Sequence, residues 1–540
     1  MTVGAISAAV SCSEPLAAEA GGQILAAGGN AVDAALAAAF VQGVVNPLMC
    51  GIGGTGRMMV HLRASGRTEL ADFGTKAGER SRPDSYGEVE QSLFANRFRA
   101  PDWSNYIGHR AVAIPSFVRG AWDSHRAYGE LDWAEVLQPA IDLAEHGFTV
   151  DEDTFGTWDP DKVRHTDSPP PLQKLRATDE CARIYLRSDG DVYRAGDTLV
   201  QSDYGRTLRR IAEEGAEVFY SGDIAEAIVE DFDANDGLFT ADDLRRCWTE
   251  FREPCRGRFK GMEVFTDWSP SMGPLEIEAL QILDALDLRH LGWRSPEYYD
   301  VLARVFQQIY RDRTRWNADP AFAEVPVERM LSRERAERLA EYLLESEPGP
   351  PPAGPDGGII APDETTHVSV VDERGNGASM THSNGNTAGV VTPGLGFLFN
   401  HHMHNFDPRP GSLNEVAPGK RPMFGCQPLM LLEDGELRAV SGSKSRYRVT
   451  AELQVFVDVF EFGASLEDAL AAPRIHAEYD PATIHVESAV SSSVVEGLDA
   501  MGWSCLGNEM GVPMCTVLAQ PGGGVEAVAD PRGGGGLWTS

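Results

Sequence analysis

The segment 346–364, SEPGPPPAGPDGGIIAPDE, constrains this chain more than any other feature of its sequence. Five of its first ten residues are proline, and glycines follow. Proline fixes φ and lacks an amide donor, so neither a helix nor a central strand survives that composition. The consequence is an exposed linker, and exposed linkers are where chains are cut. The pattern changes at once beyond it. Residues 366–372 (THVSVVD) alternate as a strand does, 373–377 form a turn, and 378–383 (ASMTHS) return. A flexible linker therefore feeds straight into a β-hairpin that opens with Thr365-Thr366-His367.

Such a junction suits a self-activated nucleophile. A threonine hydroxyl is weak, but a cut before Thr365 frees an α-amino group with a pKa of about 7.7–8.0 that can act as its local base. A threonine at the start of a strand is also ordinary, because β-branched residues favour strands. The local pattern alone does not decide.

Residues 13–46 read as two helices separated by Gly28-Gly29-Asn30, glycine ending the first and Asn30 capping the second. The second is apolar nearly all round, so it is expected inside. Gly51-x-Gly53-x-x-Gly56 matches the dinucleotide fingerprint formally, but that motif needs a strand before it and a helix after it. Here the order is reversed, which predicts a glycine loop packed against other backbone. Residues 110–345 are mostly helical by pattern, for example 133–146, 202–214, 274–286 and 298–312, with a strand-like piece at 262–266.

The eight cysteines are scattered, without a CxxC pair, and the histidines of His401-His402-Met403-His404 lack the spacing of a metal centre. No metal or cofactor is expected. The net charge, 47 − 81 = −34, repels phosphate backbones and anionic lipid and argues against nucleic acid and membrane surfaces as partners. No basic n-region opens the chain, and no run reaches the roughly 18 apolar residues of a membrane-spanning helix. A cytoplasmic protein is the expectation.

Longer motifs add a resemblance. EPLAAEAGGQILAAGGNAVDAALAAAFVQGVVNP with GIGG, the junction TTHVSVVD, GLGFLFNHHMHNF, GKRPM, ALAAPRIH and ADPR stand in one order from residue 14 to residue 532. Together they resemble the γ-glutamyltransferase family of N-terminal-nucleophile hydrolases over essentially the whole chain. The resemblance implies an α/β (α+β) fold, a four-layer αββα sandwich. It implies self-cleavage between Glu364 and Thr365, giving a heavy chain 1–364 and a light chain 365–540 that stay together as one domain. Thr365 would be the nucleophile and Ser383 would take the place of a supporting threonine. The family's Gly-Gly oxyanion pair falls on Ser445 and Arg446.

The departures concern the substrate. In the family, an acid holding the α-ammonium of a γ-glutamyl group falls on Asn405, in a segment that also carries His402. The paired serines that hold the carboxylate fall on Phe424 and Gly425. The arginine of a Phe-Arg-Glu segment has no clean match in Phe73-Gly74-Thr75, which leaves Arg80 and Arg82 nearby as substitutes. With one acid lost, and with Lys444, Arg446, Arg448 and three histidines in the matching segments, the pocket is expected to prefer a small acidic substrate without a free amine. The bond attacked could be an amide or a C–C bond of a keto-acid-like side chain in a dedicated biosynthetic pathway. Two other readings stay open: a γ-glutamyl hydrolase or transferase with a rebuilt pocket, and an inactive member serving as a binding protein.

Overall fold

The structure is a computed structural model that describes residues 7–91, 98–161, 168–350, 365–425, 427–445, 447–478, 482–520 and 523–540. Glu364, the linker from 351 onward and Arg446 lie outside the described residues.

The strands of two large sheets are, in chain order, β1 (Ala9–Cys12), β2 (Thr55–Leu62), β3 (Arg67–Phe73), β4 (Glu250–Arg252), β5 (Cys255–Phe259), β6 (Met262–Thr266), β7 (Thr366–Val371), β8 (Gly377–Ser383), β9 (Leu429–Glu433), β10 (Glu436–Ser441), β11 (Val517–Ala519), β12 (Val525–Ala527) and β13 (Gly536–Thr539). The first sheet runs β13-β1-β7-β8-β2-β3-β4 and the second β12-β11-β10-β9-β6-β5. Every neighbouring pair is antiparallel.

The helices used below are α1 (Pro15–Ala26), α2 (Ala31–Val45), α3 (Phe117–Tyr128), α4 (Trp133–His146), α5 (Ser202–Glu214), α6 (Gly273–Ala285), α7 (Pro296–Trp316), α8 (Arg333–Glu345) and α9 (Arg448–Phe456). Period-two alternation in the strands sorts their side chains into layers. Val368, Val370, Ala378, Met380, Met58 and Val60 join the core made with α1 to α5. Val371, Met59, Leu70 and Ala9 face instead Met430, Leu432 and Val440 of the second sheet. The outer face of that sheet packs on α6, α7, α8 and α9. Four layers result, α-β-β-α, as the sequence resemblance implies.

The helical pair behaves as its residues dictate. Gly28 adopts φ +98°, and Asn30 Oδ1 accepts from the amides of Val32 and Asp33 at the start of α2. A cap of this kind stabilises by about 1 kcal/mol. All of α2 is buried, wedged between β7, β8 and the other helices. The glycine loop that follows is a packing loop. A Cβ on Gly53 would sit 2.4 Å from Leu398 O, and one on Gly54 2.4 Å from Ser383 O. No helix among the described residues is long and apolar enough to cross a membrane.

Candidate active site

The β7–β8 hairpin puts Thr366 across from His382 and His367 across from Thr381. One step further, Thr365 stands across from Ser383, whose other neighbour is Thr55 of β2. By the same alternation Thr365, His367 and Ser369 share the inter-sheet face with Ser383, Thr381 and Ser379. Thr365 and Ser383 are each 1 % exposed. Thr365 Oγ1 donates to the backbone oxygen of His382 at 3.0 Å, and Thr366 Oγ1 donates to the same atom at 3.0 Å. Ser383 Oγ accepts from Gly385 N at 2.7 Å.

Neither nearby histidine is placed to act as a base on Thr365. Ser369 Oγ donates to Cys515 O, so His367 Nε2 at 3.0 Å must carry the proton that this hydroxyl accepts. Its Nδ1 then accepts from Thr381 Oγ1 at 2.7 Å, and both ring nitrogens are occupied. Burial, helped by His382 and Arg448, pushes His367 down to about 3. His382 points the other way, into the helical layer beside Phe117, with Nε2 2.8 Å from Gln42 Oε1. Gln42 in turn donates to the buried Glu14 carboxylate, which also accepts from Asn46 Nδ2 at 2.8 Å. Burial holds His382 near 3 as well. On β8, Thr381 shares the face of Thr365, whereas His382 contributes its carbonyl.

A second wall comes from 384–406. His402 Nε2 lies 3.0 Å from Ser383 O and so carries the ring proton; its Nδ1 faces Asn405 Nδ2 at 3.4 Å. Asn405 is 3 % exposed, and its Oδ1 has no hydrogen-bond partner among the described residues. His401 and His402 do not supply the positive charge expected of them. Desolvation pushes His402 down to about 4 and His401 well below the usual imidazole range, so both are neutral at physiological pH.

Phe424 lies edge-on to His402 at 4.5 Å and, with buried Gly425, fills the place where carboxylate-binding serines were sought. Arg80 and Arg82 stand apart from this cluster. Both are exposed; Arg80 pairs with Asp233 at 2.6 Å, and Arg82 caps the carbonyls of Glu79 and Ser81. The guanidinium nearest Gly74 comes from Arg57 of β2 instead, with Nη2 3.0 Å from where a Cβ on Gly74 would stand. Arg57 is buried between Asp72 (3.0 Å) and Asp267 (3.2 Å), with its Cζ 5.9 Å from the centroid of the Phe424 ring. An arginine directly before the apolar run Met58-Met59-Val60 was the sequence signal for this residue, though not for its partners.

On the facing segment, Gly442 lies against the His367 ring, 2.3 Å from it to a notional Cβ. Ser445 Oγ accepts from Tyr447 N at 3.3 Å, while its own amide donates no hydrogen bond among the described residues. Lys444 is half-buried, without a hydrogen bond or ion pair among the described residues, and its charge acts on the thiols of Cys12, Cys50 and Cys515. Thr365 thus offers a buried hydroxyl, and the facing segment carries an amide and an ammonium that have no hydrogen-bond or ion-pair partner among the described residues.

Comparison with known proteins agrees. A family model described as gamma-glutamyltranspeptidase matches residues 17–539. An acylase ACY 1 proenzyme of Pseudomonas sp. (strain V22) is 36% identical over 492 residues, covering 90% of this chain and 85% of the relative. A glutathione hydrolase proenzyme of Escherichia coli (strain K12) is 30% identical over 540 residues, covering 96% and 89%. The crystal structure of a cephalosporin acylase from Bacillus halodurans superposes with a TM-score of 0.85 at 25% identity, covering 99% of this chain and 96% of that one.

Proposed function

The chain belongs to the gamma-glutamyltranspeptidase family of N-terminal-nucleophile hydrolases, and from this we propose that it cleaves itself between Glu364 and Thr365 and then hydrolyses an amide of a small acidic acyl group lacking a free α-amine. Asn405 carries the substrate half of this reading. Where an ammonium would need a carboxylate, the structure has a neutral amide turned toward a neutral His402. An ammonium buried there would go uncompensated, at a cost of several kcal/mol. A substrate without that amine avoids the penalty, and Lys444 gives its carboxylate a partner. The acylase relatives support the same bond type.

In this mechanism the freed α-amine of Thr365 takes the hydroxyl proton as Oγ1 adds to the amide carbonyl. The Ser445 amide stabilises the resulting oxyanion. The proton passes to the departing amine, the C–N bond breaks, and water releases the acid from the Thr365 ester. His367 is the structural support of the nucleophile strand rather than the base, because both its nitrogens are committed.

Intact-mass measurement of the wild type beside Thr365→Ala tests the first half. Two fragments divided at 364/365, with a single chain in the variant, are expected. For the second half, glutaryl-p-nitroanilide should be turned over at least about tenfold faster in kcat/KM than γ-glutamyl-p-nitroanilide. The reverse order would sink the substrate reading, and an uncut wild type would sink the nucleophile.

A further inference from the structure

Four buried polar side chains between α6 and α9 take no part in that chemistry. Glu276 of α6, Glu452 and Arg448 of α9, and Gln427 just before β9 are 0, 0, 3 and 0 % exposed. Gln427 Nε2 donates to Glu276 Oε2 at 2.5 Å, and its Oε1 accepts from Arg448 Nη2 at 3.3 Å. The two carboxyl groups lie within hydrogen-bonding reach of each other. Glu276 Oε1 and the Glu452 oxygens meet no N–H donor among the described residues, and the one other hydroxyl beside Glu452 is that of Ser441, which also meets Thr516 Oγ1 at 2.8 Å.

Two carboxylates cannot meet in a dry interior with both ionised. One proton held between them satisfies the facing oxygens and leaves a single negative charge, which Arg448 offsets. Burial and mutual repulsion raise Glu276 well above the ordinary carboxylate range, and burial raises Glu452. Arg448 also acts on His367 of the first sheet, which burial keeps neutral. For stability alone, apolar residues of like volume would serve as well or better. What the cluster does hold is geometry. Gln427 follows Gly425 by two residues and Arg448 follows Ser445 by three. Phe424 meets His402, the partner of Ser383, and Gly442 meets His367. One core helix thus fastens the ends of both segments that flank the nucleophile.

We propose that Glu276 and Glu452, sharing one proton, are positioning residues that act through Gln427 and Arg448 to hold residues 424–425 and 443–445 in register beside Thr365. The turnover part of its test rests on the function proposed above; the exchange part does not. Hydrogen exchange read by mass spectrometry, with kcat and KM on glutaryl-p-nitroanilide across pH, compares Gln427→Met with Glu276→Gln. The first breaks both bonds of the relay in an isosteric side chain. The second keeps an acceptor for Gln427 and supplies a fixed donor to Glu452, imitating the protonated acid.

Gln427→Met should speed exchange in 443–448, remote from the substitution, and lower kcat by about tenfold or more. Glu276→Gln should keep wild-type protection and kcat within about twofold, and should remove the alkaline fall of activity that loss of the shared proton brings. Unchanged exchange in 443–448 for Gln427→Met would overturn the proposal. So would a Glu276→Gln variant as impaired as Gln427→Met. If no anilide is turned over by the wild type, the function reading fails while the exchange comparison still decides this one.

Discussion

At the scale of single residues, the site is defined by what its polar atoms are already doing. His367 illustrates this: hydroxyls claim both its nitrogens, and the ring lies flat against a residue that must have no side chain. A methyl group at Gly442 would stand 2.3 Å from it. Gly442→Ala should therefore destabilise by roughly 1–3 kcal/mol through overpacking, and denaturant unfolding should show a lower midpoint with an unchanged m-value. A wild-type midpoint would mean that the ring moves freely. Asn405 makes the complementary point, since one atom of difference between an amide and a carboxylate decides whether the pocket can hold an ammonium. The cation expected of His401 and His402 is missing for an equally local reason: burial keeps both rings neutral at physiological pH. What remains is Lys444 and the buried Arg448, whose guanidinium is bonded to Gln427, with Arg446 outside the described residues.

At the scale of elements, the hairpin, the capped helical pair and the glycine loop were legible because each rests on short-range chemistry. Strand alternation sets which side chains share the face of Thr365, and Asn30 caps α2 by contacts within three residues. Arg57 was not legible in the same way. Its role depends on β2 and β3 pairing so that a guanidinium reaches past Gly74, and nothing local in either strand reports that pairing. Gln42 and Glu14 were missed too, although a glutamine deep in a buried helix that is apolar beyond its first-turn Asp33 was the available signal. The strands and walls holding His367, His382 and His402 share a titration behaviour. Their folded values, about 3, 3 and 4, lie below the ordinary 6.5. The unfolded chain therefore takes up protons that the fold refuses, and these groups withdraw stability as pH falls from about 6.5 toward 4. His402→Gln, which can still donate to Ser383 O, should lose less of its urea midpoint between pH 7 and pH 5 than the wild type. Equal losses would show that His402 titrates normally in the fold.

At the scale of the whole molecule, strand order matters more than strand content. In the first sheet β1, from the heavy segment, lies between β13 and β7 of the light one, and β8 pairs along seven residues with β2. In the second, β9 pairs with β6 across the same division. A cut before Thr365 would therefore sever the chain without separating its parts, because each is threaded through the other's sheets. Before the cut, the pieces find one another as parts of one polymer, at an effective concentration set by the linker. After it, a denatured molecule has lost that connection, and its recovery becomes an encounter between two solutes. Refolding yield should be independent of protein concentration for Thr365→Ala and should rise with concentration for the cut protein. Cleavage would then act as a one-way record of assembly: the intact chain carries the instructions for its own fold, and the mature one keeps the fold after giving up the means to rebuild it alone.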